Sequence, residues 1–137
     1  MSYSKVCILV GMLCAAPAFA DGFADRVTLA QQAIKSPEGA RYDQLLMPYI
    51  QTAINSCVRQ NVGGINGVVG GEQKFTLVGA VRAEGILSDA QVRPQTAFSN
   101  CFVQEFGRSP LPNLHLNGIG SKAPHPIVVN VRVRLAP

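Results

Sequence analysis

The stretch Ile127 to Leu135 (IVVNVRVRL) alternates between two sets of residues almost without a break. Ile127, Val129, Val131, Val133 and Leu135 fall on one side; Val128, Asn130, Arg132 and Arg134 fall on the other. A period of two belongs to an extended strand, and a strand that is apolar on one side must be covered there and wetted on the other. This segment therefore demands a sheet with a buried face. The rest of the chain must supply its neighbours and its cover.

The neighbours precede it. Lys74 to Arg82 (KFTLVGAVR) and Ile86 to Pro94 (ILSDAQVRP) flank Ala83-Glu84-Gly85, a short glycine-containing link that predicts an antiparallel hairpin. Phe75, Leu77, Gly79 and Val81 share one face of the first strand. In the second, Ile86, Ser88, Ala90 and Val92 alternate with Leu87, Asp89, Gln91 and Arg93. The cover is helical. From Ala40 to Gln60, residues such as Leu46, Ile50, Ala53 and Cys57 recur at helical spacing, and Pro48 predicts a kink or a fresh start near Met47, with the helix ending near Asn61. Thr96 to Phe106 places Phe98, Cys101, Phe102 and Phe106 on one stripe, with Gly107 as the expected stop. The three phenylalanines read as core.

Three further segments complete the chain. Asp21 to Lys35 carries Phe23, Val27, Ala30 and Ile34 at helical spacing, and Ser36 before Pro37 suits the cap of a following helix. Asn61 to Gln73 holds five glycines and reads as a flexible connection, without the spacing of a phosphate-binding loop. Ser109 to Pro126, with four prolines, reads as irregular. The expected architecture is α+β and two-layered: a three-stranded antiparallel sheet with two helices packed on one face, in the order α-β-β-α-β, plus an N-terminal helix.

Residues 1–20 (MSYSKVCILVGMLCAAPAFA) have the basic start, apolar middle and A-x-A ending of a cleavable signal peptide. The expected organisation is a signal at 1–20, a helical segment at 21–39 and a domain at 40–137. Loss of Lys5 lowers the formal net charge from +4 to +3, and no later stretch is long and apolar enough to span a bilayer. The expected location is the periplasm, without stable membrane insertion after cleavage. Two cysteines would remain, Cys57 and Cys101, and an even count in an oxidising compartment predicts a disulfide between them.

Nothing in the sequence asks for catalysis. His115 and His125 sit in the proline-rich link, where solvated side chains are expected, and the eight carboxylates are scattered. Their spacing suits neither a metal site nor an acid/base pair, so no catalytic residue, metal or cofactor is expected and the chain reads as not an enzyme. The modest charge and few aromatics argue against nucleic acid as a partner. Arg82, Arg93, Arg132 and Arg134 would form a basic patch if the fold groups them; otherwise they are solvated charges that protect a strand edge.

Four stretches, MPYIQTAINSCV, FTLVGAVRAEGILSDAQVRPQT, NCFVQEFGRSPLP and PIVVNVRVRL, together resemble the C-terminal domain shared by TonB and TolA, over about Leu46 to Leu135. The resemblance implies a protein-interaction module whose last strand accepts an added strand from a partner in the cell envelope. The partner-binding residues would be Val128, Val129, Asn130, Val131, Arg132, Val133 and Arg134. On this view proline at Val129 or Val131 should block capture and spare the fold. TonB itself has a retained membrane anchor and a long proline-rich spacer; with a cleavable signal and no spacer, this chain is not expected to transmit force by itself. The alternative expectation is a periplasmic immunity or inhibitor protein directed against a secreted toxin.

Overall fold

A computed structural model describes residues 22–61, 71–120 and 124–135. The expected signal peptide and residues 62–70 of the glycine-rich connection lie outside the described residues. The elements are helix α1 (Gly22–Ile34), helix α2 (Pro37–Asn61), strands β1 (Gly71–Val81) and β2 (Leu87–Arg93), helix α3 (Ala97–Arg108) and strand β3 (His125–Leu135). The strands form one antiparallel sheet in the order β2-β1-β3. This is the α+β order predicted from the periodicities.

The β1–β3 ladder runs from Gly71 opposite Leu135 to Val81 opposite His125 with no shift in register. Both strands exceed their predicted lengths. Gly71–Gln73, expected in the loop, join β1, and His125–Pro126, expected in the irregular link, join β3. Pairing along the whole ladder recruits these flanks, a gain that local sequence does not register.

One face of the sheet carries Phe75, Leu77, Val129 and Val131 into a core with Tyr42, Leu46 and Ile50 of α2. Phe98, Phe102 and Phe106 of α3 complete it, all fully buried. Phe102 lies between Phe75 and Phe106, with ring centroids 5.3 and 5.4 Å away. α3 is capped by Thr96, whose hydroxyl accepts from the Ser99 N–H while the Ser99 hydroxyl accepts from the Thr96 N–H. It continues past Gly107 to Arg108, with Ser109 as its C-cap. Cys57 and Cys101 are bonded, Cα to Cα 5.8 Å, joining α2 to α3 over the sheet.

α2 is one helix of 25 residues that runs through Pro48 and starts well before Met47. Pro48 is exposed, so the Gln44 carbonyl that loses its amide partner is met by water. At the other end, Ser36 accepts from the Gly39 N–H at 3.0 Å, the predicted cap. A side chain at Gly39 would place its Cβ 1.9 Å from the Ala33 carbonyl oxygen, so this elbow admits only glycine. The tight elbow swings α1 onto the opposite face of the sheet. There Ala30 packs on Val78 and Val128, with Phe23, Val27 and Ile34 around them. Val128 is thus buried under α1 rather than solvated with its polar neighbours.

β2 departs from the simple alternation read in its sequence. Its register against β1 slips between Val78 and Ala80, where β2 carries an extra residue, and Asp89 adopts φ +52°. The bulge lets Leu87 and Val92 both reach the core, which strict alternation forbids for positions five apart. Ile86, expected to open the strand, lies just before it and is exposed.

The link after α3 is irregular in backbone but packed. Leu111, Leu114 and Ile119 are buried in the main core. The Leu111 and Leu114 amides donate to the Gly85 and Ala83 carbonyls of the hairpin turn at 3.0 and 2.9 Å. The Tyr42 hydroxyl donates to the Pro112 carbonyl at 2.8 Å, and Arg41 donates to the Asn117 and Gly118 carbonyls.

Candidate functional site

β1 is central, so β2 and β3 are the edges, and the two are unlike. β2 has seven residues and a bulge, both devices that blunt an edge. β3 has eleven residues in an unshifted ladder, and among the described residues no strand pairs with its outer side.

The direction of each backbone group on β3 follows from β1. The Arg82 N–H donates to the Ile86 carbonyl at 2.9 Å, toward β2. Successive residues of an antiparallel strand point their N–H and C=O groups to opposite sides, so odd-numbered residues of β1 turn toward β3. Their partners, Ile127, Val129, Val131, Val133 and Leu135, return those bonds. The even-numbered residues Val128, Asn130, Arg132 and Arg134 therefore present their backbone groups outward. Two side observations agree. Pro126, which has no N–H, occupies an outward position, and the Thr76 hydroxyl reaches Asn130 Oδ1 at 2.8 Å, as side chains do across a non-hydrogen-bonded pair.

This parity divides the seven residues of the expected binding strand. Val128, Asn130, Arg132 and Arg134 hold the free backbone positions. Val129 and Val131 are buried in the core, Val133 packs at its rim, and all three spend their backbone groups on β1. Proline at Val129 or Val131 would thus break the ladder to β1, contrary to the expectation that the fold survives it. The outward positions are the ones that tolerate it.

The open edge lies in a groove of about 400 Å³. Val128 to Arg132 form its floor, Gln31 and Ile34 of α1 one wall, and Asp43, Met47, Ile50, Gln51 and Ile54 of α2 the other. Met47 is 55% exposed on that wall. The stripe on α2 was visible in its sequence; that the elbow would set α1 and α2 on either side of a strand edge was not.

The arginines are only partly grouped. Arg93 lies opposite Thr76, which is itself opposite Asn130, and Lys74 lies opposite Arg132, so these side chains share the face on which α1 packs, beyond the Val78 and Val128 that it buries. Arg134 joins them opposite Glu72, whose carboxylate is 3.1 Å from Arg132 Nε. The Arg93 guanidinium sits 4.6 Å from the centre of the Phe23 ring. Arg82 stands apart, roughly 20 Å farther along β1 at about 3.3 Å per residue, near Asp89.

Of the two histidines expected to be solvated in the link, one is not. His115 is exposed in the link, whereas His125 begins β3 and is half-buried, its ring 5.2 Å from that of Tyr42 at 76°. Burial lowers the His125 pKa from its usual value, partly offset by the nearby Asp43 carboxylate. Burial raises that of Asp43, with His125 opposing. Tyr42 is pushed up to about 12, by burial and then by Tyr49. Among the described residues no group of three or more His, Cys, Asp or Glu side chains comes together, and no helix is long and apolar enough to cross a membrane.

Comparison with protein-family models, curated proteins and solved structures finds no match. The functional reading rests on the geometry.

Proposed function

We propose that this chain is an exported, non-enzymatic protein-interaction module of the periplasm, resembling the C-terminal domain of TonB and TolA, that captures an envelope protein by strand addition along the outer edge of β3. The observation that carries the reading is the open edge itself. At Val128, Asn130 and Arg132 a run of outward N–H and C=O groups lies between two helical walls, and the run continues to Arg134 beyond them. Such groups exchange water for an incoming backbone at little cost, and the flanking walls add side-chain contacts that select the partner. The bulged, shorter β2 edge makes a poor acceptor. The signal-like residues 1–20 and the Cys57–Cys101 bond support export.

The test is site-specific photocrosslinking in intact cells, with the reactive group at Arg132 or, as a control, at Gln104 on the exposed side of α3. A single envelope protein crosslinked from Arg132 and lost in the Asn130→Pro background supports the reading. Crosslinking that survives Asn130→Pro, or that is equally strong from Gln104, overturns it. A secreted toxin as the captured species would instead make the chain an immunity or inhibitor protein.

A further inference from the structure

Resting on the strand-addition reading, we infer that the captured segment is acidic at alternate positions and apolar between them. The two sides of the β3 edge carry opposite demands. On the side where α1 packs, beyond Val128, Lys74, Arg132 and Arg134 lie together with the Glu72 carboxylate, while Arg93 is held over the Phe23 ring. Lys74 lies directly opposite Arg132, so the patch holds like charges side by side and gains from any added anion. On the other side the groove wall is Met47, Ile50 and Ile54, with the Asp43 carboxylate at one end.

A strand laid along β3 must place successive side chains on these two sides in turn, because its own period is two. Residues beside Arg132 and Arg134 come within about 5 Å, Cβ to Cβ, of a basic side chain, and one beside Asn130 lies diagonal to Arg132 at about 7–8 Å; an opposite charge stabilises there and a like charge repels. Residues beside Val129 and Val131 meet the apolar wall, and Asp43 disfavours an acid there. A second copy of this chain suits the edge poorly, since its β3 would bring Arg132 and Arg134 onto an already basic face. The arginines thus discourage self-pairing while leaving the backbone open to an acidic strand.

Short capped peptides test this directly: one alternating Val and Glu, one alternating Val and Lys, and one with the Val and Glu residues in two blocks. Binding to the protein is read by fluorescence anisotropy at low salt. The alternating acidic peptide should bind at least about tenfold more tightly than the other two, and rising salt should weaken it. Arg132→Glu combined with Arg134→Glu should reverse the preference between Glu and Lys peptides, with circular dichroism confirming the fold. N-methylation of alternate amides in the acidic peptide should abolish binding. If N-methylation abolishes binding but the Glu and Lys peptides bind equally, the edge reading stands and the acidic assignment fails. If the N-methylated peptide binds as well as its parent, strand addition itself fails. Absence of saturable binding by the acidic peptide, or a dimer in sedimentation that this peptide does not dissociate, overturns the acidic assignment.

Discussion

Two proline substitutions at neighbouring positions of β3 should have very different effects. In Val131→Pro the lost N–H is one that β1 receives: Val131 pairs with Phe75, and the parity of the ladder directs its amide to the Phe75 carbonyl. That carbonyl belongs to a residue only 3% exposed, so it would lose its donor without gaining water. A buried acceptor left unsatisfied costs about 1–3 kcal/mol, and fitting a rigid ring where Val131 is 4% exposed adds about 1–2 kcal/mol more. The sum, about 2–5 kcal/mol with its centre near 3.5, is a large part of the 5–15 kcal/mol typical of a small domain. In Asn130→Pro the lost N–H points outward to water. The remaining loss is the exposed bond from the Thr76 hydroxyl to Asn130, about 0.5–1 kcal/mol. In melting temperature these correspond to falls of roughly 15–30 °C and about 5 °C. Urea unfolding followed by far-ultraviolet circular dichroism, with the slope checked for constancy, measures both. Equal midpoints for the two variants, or Asn130→Pro the weaker of the pair, would refute the assignment of outward and inward groups on β3, and the reading of the edge with it.

Other outcomes follow from the same geometry. Replacing Cys57 and Cys101 together by alanine opens a loop with a sequence separation of 44 and should cost about 4 kcal/mol by loop-closure entropy; a melting temperature unchanged by reduction would contradict it. Gly85→Ala places a Cβ 2.1 Å from the Leu111 carbonyl oxygen at φ +90° and should destabilise by about 2–4 kcal/mol, whereas Gly22→Ala, with nothing within 4 Å, should not; thermal melts of the pair decide. His125 binds its proton less readily in the folded state than in the unfolded chain, whose value is 6.5. Stability should therefore hold steady above about pH 7.5 and fall as the pH drops through 6.5 toward the lower folded value. Asp43, raised when folded, contributes the opposite slope at more acidic pH, its stabilisation fading as pH rises through the folded value. His125→Phe should flatten the fall near pH 6, and urea midpoints between about pH 5.5 and 8 would show it; an unchanged slope would exclude His125 as the source.

The sequence by itself determined the kinds of element and their buried sides. The period of two in β3, the helical stripes of α2 and α3 and the phenylalanine spacing are local properties, imposed by backbone geometry on any fold the chain adopts. The cysteine pair was legible for a related reason, since each cysteine sits on the apolar stripe of its helix and those stripes must meet over the sheet. Tertiary structure decided what depends on partners distant in the chain. Val128 looks like a misplaced apolar residue on a polar face until the Gly39 elbow brings α1 across the sheet to cover it. Leu87 and Val92 share a face only because of the bulge at Asp89, which the ladder with β1 creates. Leu111 and Leu114 become core through bonds to the hairpin turn, which an irregular stretch of sequence does not signal. The candidate site belongs to this second class. Which edge stays open, which backbone groups point outward and which helices flank them depend on the strand order β2-β1-β3, a choice made among non-local pairings whose energy no single segment carries.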